Sequence, residues 1–186
     1  DADSRVRGEF RKLVLTPEGG NGNYRIPSVI SVNGRVGIEY RGYDLLNGAG
    51  NHCGINRARM YLDGEMIYEF DLKKYAFDEK RYINLHLDYQ YYQQKRQRFE
   101  KAYVDYGDDF PAHIYDLSRG MIELKDDQVH EFRLILYDLH GNTTTVQGKM
   151  KQDQSDPLAQ KPTYYQTPRL THEIKRNVLR LTASRA

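Results

Sequence analysis

Two runs of residues, Ile55-Asn-Arg-Ala-Arg-Met-Tyr-Leu62 and Glu65-Met-Ile-Tyr-Glu-Phe-Asp-Leu72, flank the dipeptide Asp63-Gly64. An Asp-Gly pair supplies the positive φ angles of a type I′ turn, whose twist matches that of two antiparallel strands. The stretch 55–72 is therefore expected to be a β-hairpin, and the rest of the chain reads outward from it.

Toward the C-terminus, Tyr82, Asn84, His86 and Asp88 alternate with Ile83, Leu85 and Leu87. This period of two is the pattern of a half-buried strand. It recurs over 131–138, where Phe132, Leu134, Leu136 and Asp138 alternate with Arg133, Ile135 and Tyr137. A turn at 139–142 leads to a further strand over 143–150, with three Thr and Val146. Short strands are predicted at 112–116 and 121–124. One segment departs from the pattern. Residues 89–103 are rich in Gln, Lys, Arg, Glu and Ala, and Tyr92, Arg96, Phe99 and Tyr103 recur at helical spacing. They predict an amphipathic helix capped by Asp88. Toward the N-terminus, 35–43 alternates as a strand, with Val36, Ile38 and Tyr40 on one side. Residues 17–23 and 44–54 read as Gly/Asn-rich loops, and 5–16 as a first strand with a bulge near Gly8. Strands separated by Gly, Asn and Asp turns, with no regular βα alternation, predict an all-β fold. The expected form is an immunoglobulin-like antiparallel β-sandwich with a short helical insertion.

Composition narrows the function classes. The 186 residues carry 28 Lys+Arg, 26 Asp+Glu, 16 Tyr, no Trp and one Cys. Residues 1–150 hold 21 Lys+Arg against 23 Asp+Glu, while 151–186 hold 7 against 3. A slightly acidic body offers no electrostatic footprint for nucleic acid. No apolar run has the length of a membrane span, and no signal-peptide pattern is visible. Cys53 stands alone, so no internal disulfide forms. The expected organisation is a sandwich over 1–150, a linker over 151–168 containing Pro157, Pro162 and Pro168, and a basic extension over 169–186. That extension reads as a strand of a further domain, a short helix, or an arm that pairs with a neighbour in an assembly.

Chemical motifs are sparse. The histidines are His52, His86, His113, His130, His140 and His172, and none pairs at the spacing of a zinc-binding helix or strand. His86 and Asp88 would share a strand face, and His113 precedes Asp116, but spacing alone reads more simply as ordinary polar surface. Cys53 follows a Gly/Asn loop without a converging base, so a catalytic role is not expected. The turns at Asp44 and Asp138 carry oxygen ligands suited to calcium. Asp and Asn also bond their own backbone in turns, which explains both clusters without a metal. No cofactor is expected in this chain. The best candidate surface is Tyr-rich and basic: Tyr89, Tyr91, Tyr92, Arg96, Arg98 and Tyr103. Tyr and Arg suit contact with protein, peptide or carbohydrate.

Several of these pieces occur in a familiar order. They are Gly34-Arg-Val-Gly-Ile-Glu39, Tyr43-Asp-Leu-Leu-Asn-Gly-Ala-Gly-Asn51, Gly54-Ile-Asn56 and Met60-Tyr-Leu-Asp-Gly-Glu-Met-Ile-Tyr68. Phe77-Asp-Glu-Lys-Arg-Tyr-Ile-Asn84, Ile122-Glu-Leu124 and Tyr137-Asp-Leu-His-Gly-Asn-Thr143 follow. Over residues 10–150 the chain resembles the non-catalytic β-sandwich region of lysostaphin-type (LytM-like) zinc endopeptidases of the Gram-negative cell envelope. That family binds zinc through a His-x-x-x-Asp segment and a later His-x-His segment, and neither occurs here. The resemblance therefore implies an accessory region without catalytic residues, with zinc only in a catalytic domain outside this chain. It implies a periplasmic or outer-membrane-associated location. The expected role is to position a peptidase on peptidoglycan or dock it to an envelope protein. The alternative is a stand-alone structural or interaction subunit of an envelope assembly.

Overall fold

The computed structural model describes residues 4–45, 52–73, 79, 82–153, 169–175 and 178–184. In chain order the strands are β1 (Arg5–Val6), β2 (Glu18–Gly20), β3 (Asn23–Arg25), β4 (Ile30–Asn33), β5 (Glu39–Tyr40), β6 (Asp44–Leu45), β7 (His52–Cys53), β8 (Arg57–Leu62) and β9 (Glu65–Asp71). Helices α1 (Ile83–His86) and α2 (Tyr89–Lys95) follow. Then come β10 (Glu100–Lys101), β11 (His113–Tyr115), β12 (Val129–Tyr137), β13 (Thr143–Gln152), β14 (Arg169–Lys175) and β15 (Val178–Ser184). The chain divides into two units, Asp1–Gln154 and Ser155–Ala186.

The hairpin that anchors the reading is β8–β9. Asp63 and Gly64 take φ of 49° and 88°, the left-handed pair that a type I′ turn requires. Asp63 is also tied outward. Its N–H donates to the Glu131 carbonyl, and its carboxylate accepts from the Glu131 N–H, both at 2.8 Å. A register shift at Met60/Tyr61 lengthens β9 and leaves Ile67, Tyr68, Glu69 and Phe70 all buried.

Strands β8 and β9 belong to a nine-stranded mixed sheet in the order β1-β4-β13-β12-β8-β9-β11, with β2 and β3 attached beside β13. The alternation over 131–138 is realised in β12: Phe132, Leu134 and Leu136 are buried and stand between Leu62, Met60 and Ala58 on β8 and Gly148, Val146 and Thr144 on β13. A Cβ at Gly148 would overlap the Phe132 ring, so the glycine admits a large cross-strand partner. Opposite β12, the far edge of β13 is shared by two segments that run parallel to it. Residues 23–25 pair with 145–147, and residues 30–32 pair with 150–152. Pro27 lies in the gap between them. The core closes on short segments outside this sheet: β5 pairs with β10, and Val36 bridges to Ile122. Tyr40, Ala102, Val104 and Ile122 from these segments join Met60, Tyr68 and Leu134 in one buried cluster.

Several expectations are corrected. Residues 82–88 are not a strand. Ile83–His86 is one helical turn, and seven residues whose apolar positions also fit i, i+3, i+4 do not distinguish the two periods. The expected helix over 89–103 ends at Lys95. Arg96 takes φ 57°, donates to the Tyr92 carbonyl and turns the chain toward β10. Residues 5–16 do not form one strand, because Arg7 and Gly8, at φ 52° and 75°, make a tight turn that brings Glu9 back onto Val6. Within the expected strand 35–43, only Glu39–Tyr40 is a strand. The expected loop 17–23 is the β2–β3 hairpin, turned by Asn21-Gly22 at φ 53° and 77°. Residues 46–51 of the second loop lie outside the described residues, as does the linker from 154 on. In the second unit, β14 and β15 pair antiparallel.

His130 fastens the β8–β9 turn. Its Nδ1 lies 2.6 Å from an Asp63 oxygen and its Nε2 lies 2.9 Å from an Asp126 oxygen. The Asp63 bond, then the Asp126 bond, raises the His130 pKa above its usual value. The His130 bond lowers that of Asp63. A raised histidine pKa gives stability that is full below the unfolded value, about 6.5, and is lost as pH rises through the native value. Lowered carboxylate values give stability that is lost only as pH falls below their unfolded range, about 4. The clamp is therefore strongest near pH 5–6. His130→Ala is expected to lower the urea midpoint at pH 5.5 and to change it little at pH 9. Equal losses at both values would show that ion pairing is not the cause.

Candidate functional site

The turn at Arg7-Gly8 sends residues 9–12 back toward α2, where Lys12 meets Asp88. Between this segment and the helix lies a cleft of about 760 Å³, inside the range of about 300–1,000 Å³ usual for ligand sites. One wall is α2, which begins where the Asp88 carboxylate accepts from the Tyr91 N–H at 2.9 Å, the expected N-cap. Gln90, Tyr91 and Gln94 of this helix line the cleft. Phe10, Arg11, Arg35, Gly37 and Tyr103 also line it. A Cβ at Gly37 would overlap the Tyr103 ring, so glycine lets that ring lie against the backbone.

Lys12 ties the two walls together. Its ammonium bonds both Glu39 and Asp88 and sits 4.6 Å from the Tyr91 ring centroid and 5.1 Å from that of Phe99. Cation–π and ion-pair attraction act on the same charge. Asp88 is held below its usual pKa: burial opposes this, and the bond to Lys12 is the largest of the lowering causes. The Tyr103 hydroxyl donates to Glu39 at 2.9 Å, and burial, followed by the Glu39 charge, raises its pKa. Phe10 is 59% exposed, with the Arg5 guanidinium 4.9 Å from its ring centroid. Arg35 donates to the Ser118 carbonyl at 3.3 Å and has no carboxylate partner among the described residues.

The expected contact residues are thus divided. Tyr91 and Tyr103 line the cleft. Tyr89 and Tyr92 are exposed on α2, and Arg96 lies 5.8 Å from the Tyr92 ring centroid. Arg98 is exposed beyond the helix. The N-terminal wall was not legible in advance, because residues 5–12 read as a strand rather than as a turn returning to α2.

A second polar cluster is interior. The Asp108 carboxylate lies 3.2 Å from His113 Nε2, His113 Nδ1 lies 3.0 Å from the Tyr68 hydroxyl, and that hydroxyl donates to the Lys101 carbonyl at 3.1 Å. Carboxylate, imidazole and hydroxyl stand in relay order, but Tyr68 has no exposed surface for a substrate to reach. The chain pins β9, β11 and the 105–110 loop to one another. His86 stacks on Phe70 at 4.2 Å, and its Nε2 lies 3.8 Å from Glu100, beyond hydrogen-bond distance. Burial lowers its pKa. His86 and Asp88 do not meet, in line with the simpler reading of their spacing: Asp88 caps α2 and bonds Lys12. The Asp138 carboxylate accepts from the His140 and Asn142 N–H groups, so that turn binds its own backbone. Among the described residues no group of three His, Cys, Asp or Glu has the arrangement of a metal site. No helix among them is long and apolar enough to cross a membrane.

Lys12→Ala is expected to cost about 1–3 kcal/mol and to speed hydrogen exchange of the α2 amides 91–95. Unchanged exchange would show that Lys12 does not hold α2 in place. No protein-family model, curated protein or solved structure matches the chain.

Proposed function

We propose that the body is a non-catalytic binding module of the bacterial cell envelope. In this reading it is a variant of the immunoglobulin-like β-sandwich region that accompanies lysostaphin-type zinc endopeptidases, and it positions such an enzyme on peptidoglycan or docks it to an envelope protein. The observation that carries the reading is the cleft with its adjoining helix, where aromatic rings and cations from separate parts of the chain gather on one concave surface. Such surfaces bind by burying ring faces and orienting a few polar contacts. The interior Asp108–His113–Tyr68 chain is closed to substrate, which fits a contact role better than catalysis. Replacing Tyr91, Tyr92 and Arg96 together by Ala is expected to reduce co-sedimentation with purified peptidoglycan sacculi several-fold while the thermal midpoint stays above assay temperature. Unchanged co-sedimentation would remove the cell-wall assignment.

A second reading, an assembly subunit joined through residues 155–186, draws on the β14–β15 hairpin. An isolated two-stranded hairpin is marginal in water and gains stability from a partner. Light scattering with and without residues 155–186 tests it. A smaller particle after truncation, beyond the mass removed, supports the arm; an unchanged oligomeric state excludes it.

A further inference from the structure

The cleft carries information about the chemistry of its ligand. The sheet edge beside it offers no place for an extended peptide. Val6 and Glu9 exchange N–H···O bonds at 3.0 and 3.1 Å, and the Arg7 N–H donates to the Ser31 carbonyl at 2.8 Å. The chain's own return thus occupies the backbone groups that strand addition would use. What the cleft offers is side chains. Gln90 and Gln94, one helical turn apart, are exposed, and their side-chain amides carry no hydrogen bond among the described residues. Each amide presents both donors and an acceptor. Phe10 presents an exposed ring that Arg5 holds from one side. Arg35 presents a guanidinium without a carboxylate partner among the described residues, and Arg11 pairs only with the exposed Glu9. Neutral amides, an open ring and a planar cation match three features of one ligand: hydroxyls, a ring face of C–H bonds and a carboxylate.

We propose that this cleft binds a saccharide chain bearing carboxylates. A sugar ring stacks on Phe10, its hydroxyls meet Gln90 and Gln94, and its carboxylate meets Arg35, with Arg11 exchanging Glu9 for a second carboxylate. The inference rests on the binding-module reading and names the ligand class of that site. An acidic peptide would satisfy the arginines and meet the amides with its backbone, but poly-acidic side chains bring no face of C–H bonds to Phe10.

The test is calorimetric titration of the full chain with oligogalacturonate, with a neutral maltooligosaccharide of equal length, and with poly-L-glutamate. Oligogalacturonate is expected to bind, and Phe10→Ala and Arg35→Gln are each expected to weaken it about ten-fold, or about 1.4 kcal/mol. Only Arg35→Gln should flatten the salt dependence. Tyr106→Ala, at a fully exposed residue that is not among those lining the cleft, should leave binding unchanged and serves as the folding control. Equal binding of the neutral chain overturns the role of the carboxylate. Equal or tighter binding of poly-L-glutamate, insensitive to Phe10→Ala, overturns the saccharide. No binding of oligogalacturonate overturns the proposal. If sacculi still sediment with the chain through α2, only this ligand class fails; if they do not, the binding-module reading fails with it.

Discussion

Strand β12 sets the terms for the rest of the body. It is paired with β13 along all of Val129–Tyr137 and with β8 over Phe132–Tyr137. A slip of one residue would bring Arg133, Ile135 and Tyr137 inward in place of Phe132, Leu134 and Leu136. The register therefore has a steep penalty against error, since an arginine would enter a core holding fully buried Met60 and Tyr68. Gly148 adds a steric lock, because only its missing side chain makes room for Phe132. On the other face the β8–β9 register sets Arg57 opposite Asp71 and Arg59 opposite Glu69, and the β12–β8 register sets Arg133 over Tyr61. Two adjoining ladders thus place apolar side chains on one face of β8, β9 and β12 and ion pairs on the other.

The molecule uses charge in two ways that differ by solvent access. At Lys12, one cation is shared by two carboxylates and two rings, and it joins the N-terminal segment to α2 near the surface. At Asp108, a carboxylate is withdrawn from water and answered by His113 and by the Phe110 N–H at 3.1 Å. The interior chain limits how the 105–110 loop can move. The Lys12 knot instead shapes a wall that faces outward, where its geometry matters to whatever enters the cleft.

How much of this could be read from residues alone depends on the range of the interaction. Asp63-Gly64 and the Asp88 cap are local devices, and each sits in the structure where its chemistry predicts. The alternation over 131–138 was legible because a turn at 139–142 and a Thr-rich run over 143–150 follow it directly. Asn21-Gly22 carries the same turn chemistry as Asp63-Gly64, but short flanking runs of Glu-Gly-Gly and Asn-Tyr-Arg hide it. Residues 82–88 misled because two periods coincide over one or two turns. The cleft was half visible: Tyr91 and Tyr103 belong to the expected surface, while Phe10 and Arg35 reach it through the tertiary path of the chain, which no local pattern encodes.

The parallel pairing of β3 and β4 with β13 has a consequence for the order of assembly. Residues 23–32 find their partners at 145–152, across most of the body. Contacts between such distant segments carry a large loop-closure cost and form late. During synthesis, residues 23–32 cannot pair with β13 until residues 145–152 have been made. The N-terminal segment, which also builds one wall of the cleft, would then be the last part of the body to dock, so the binding surface would be completed by the same event that completes the fold.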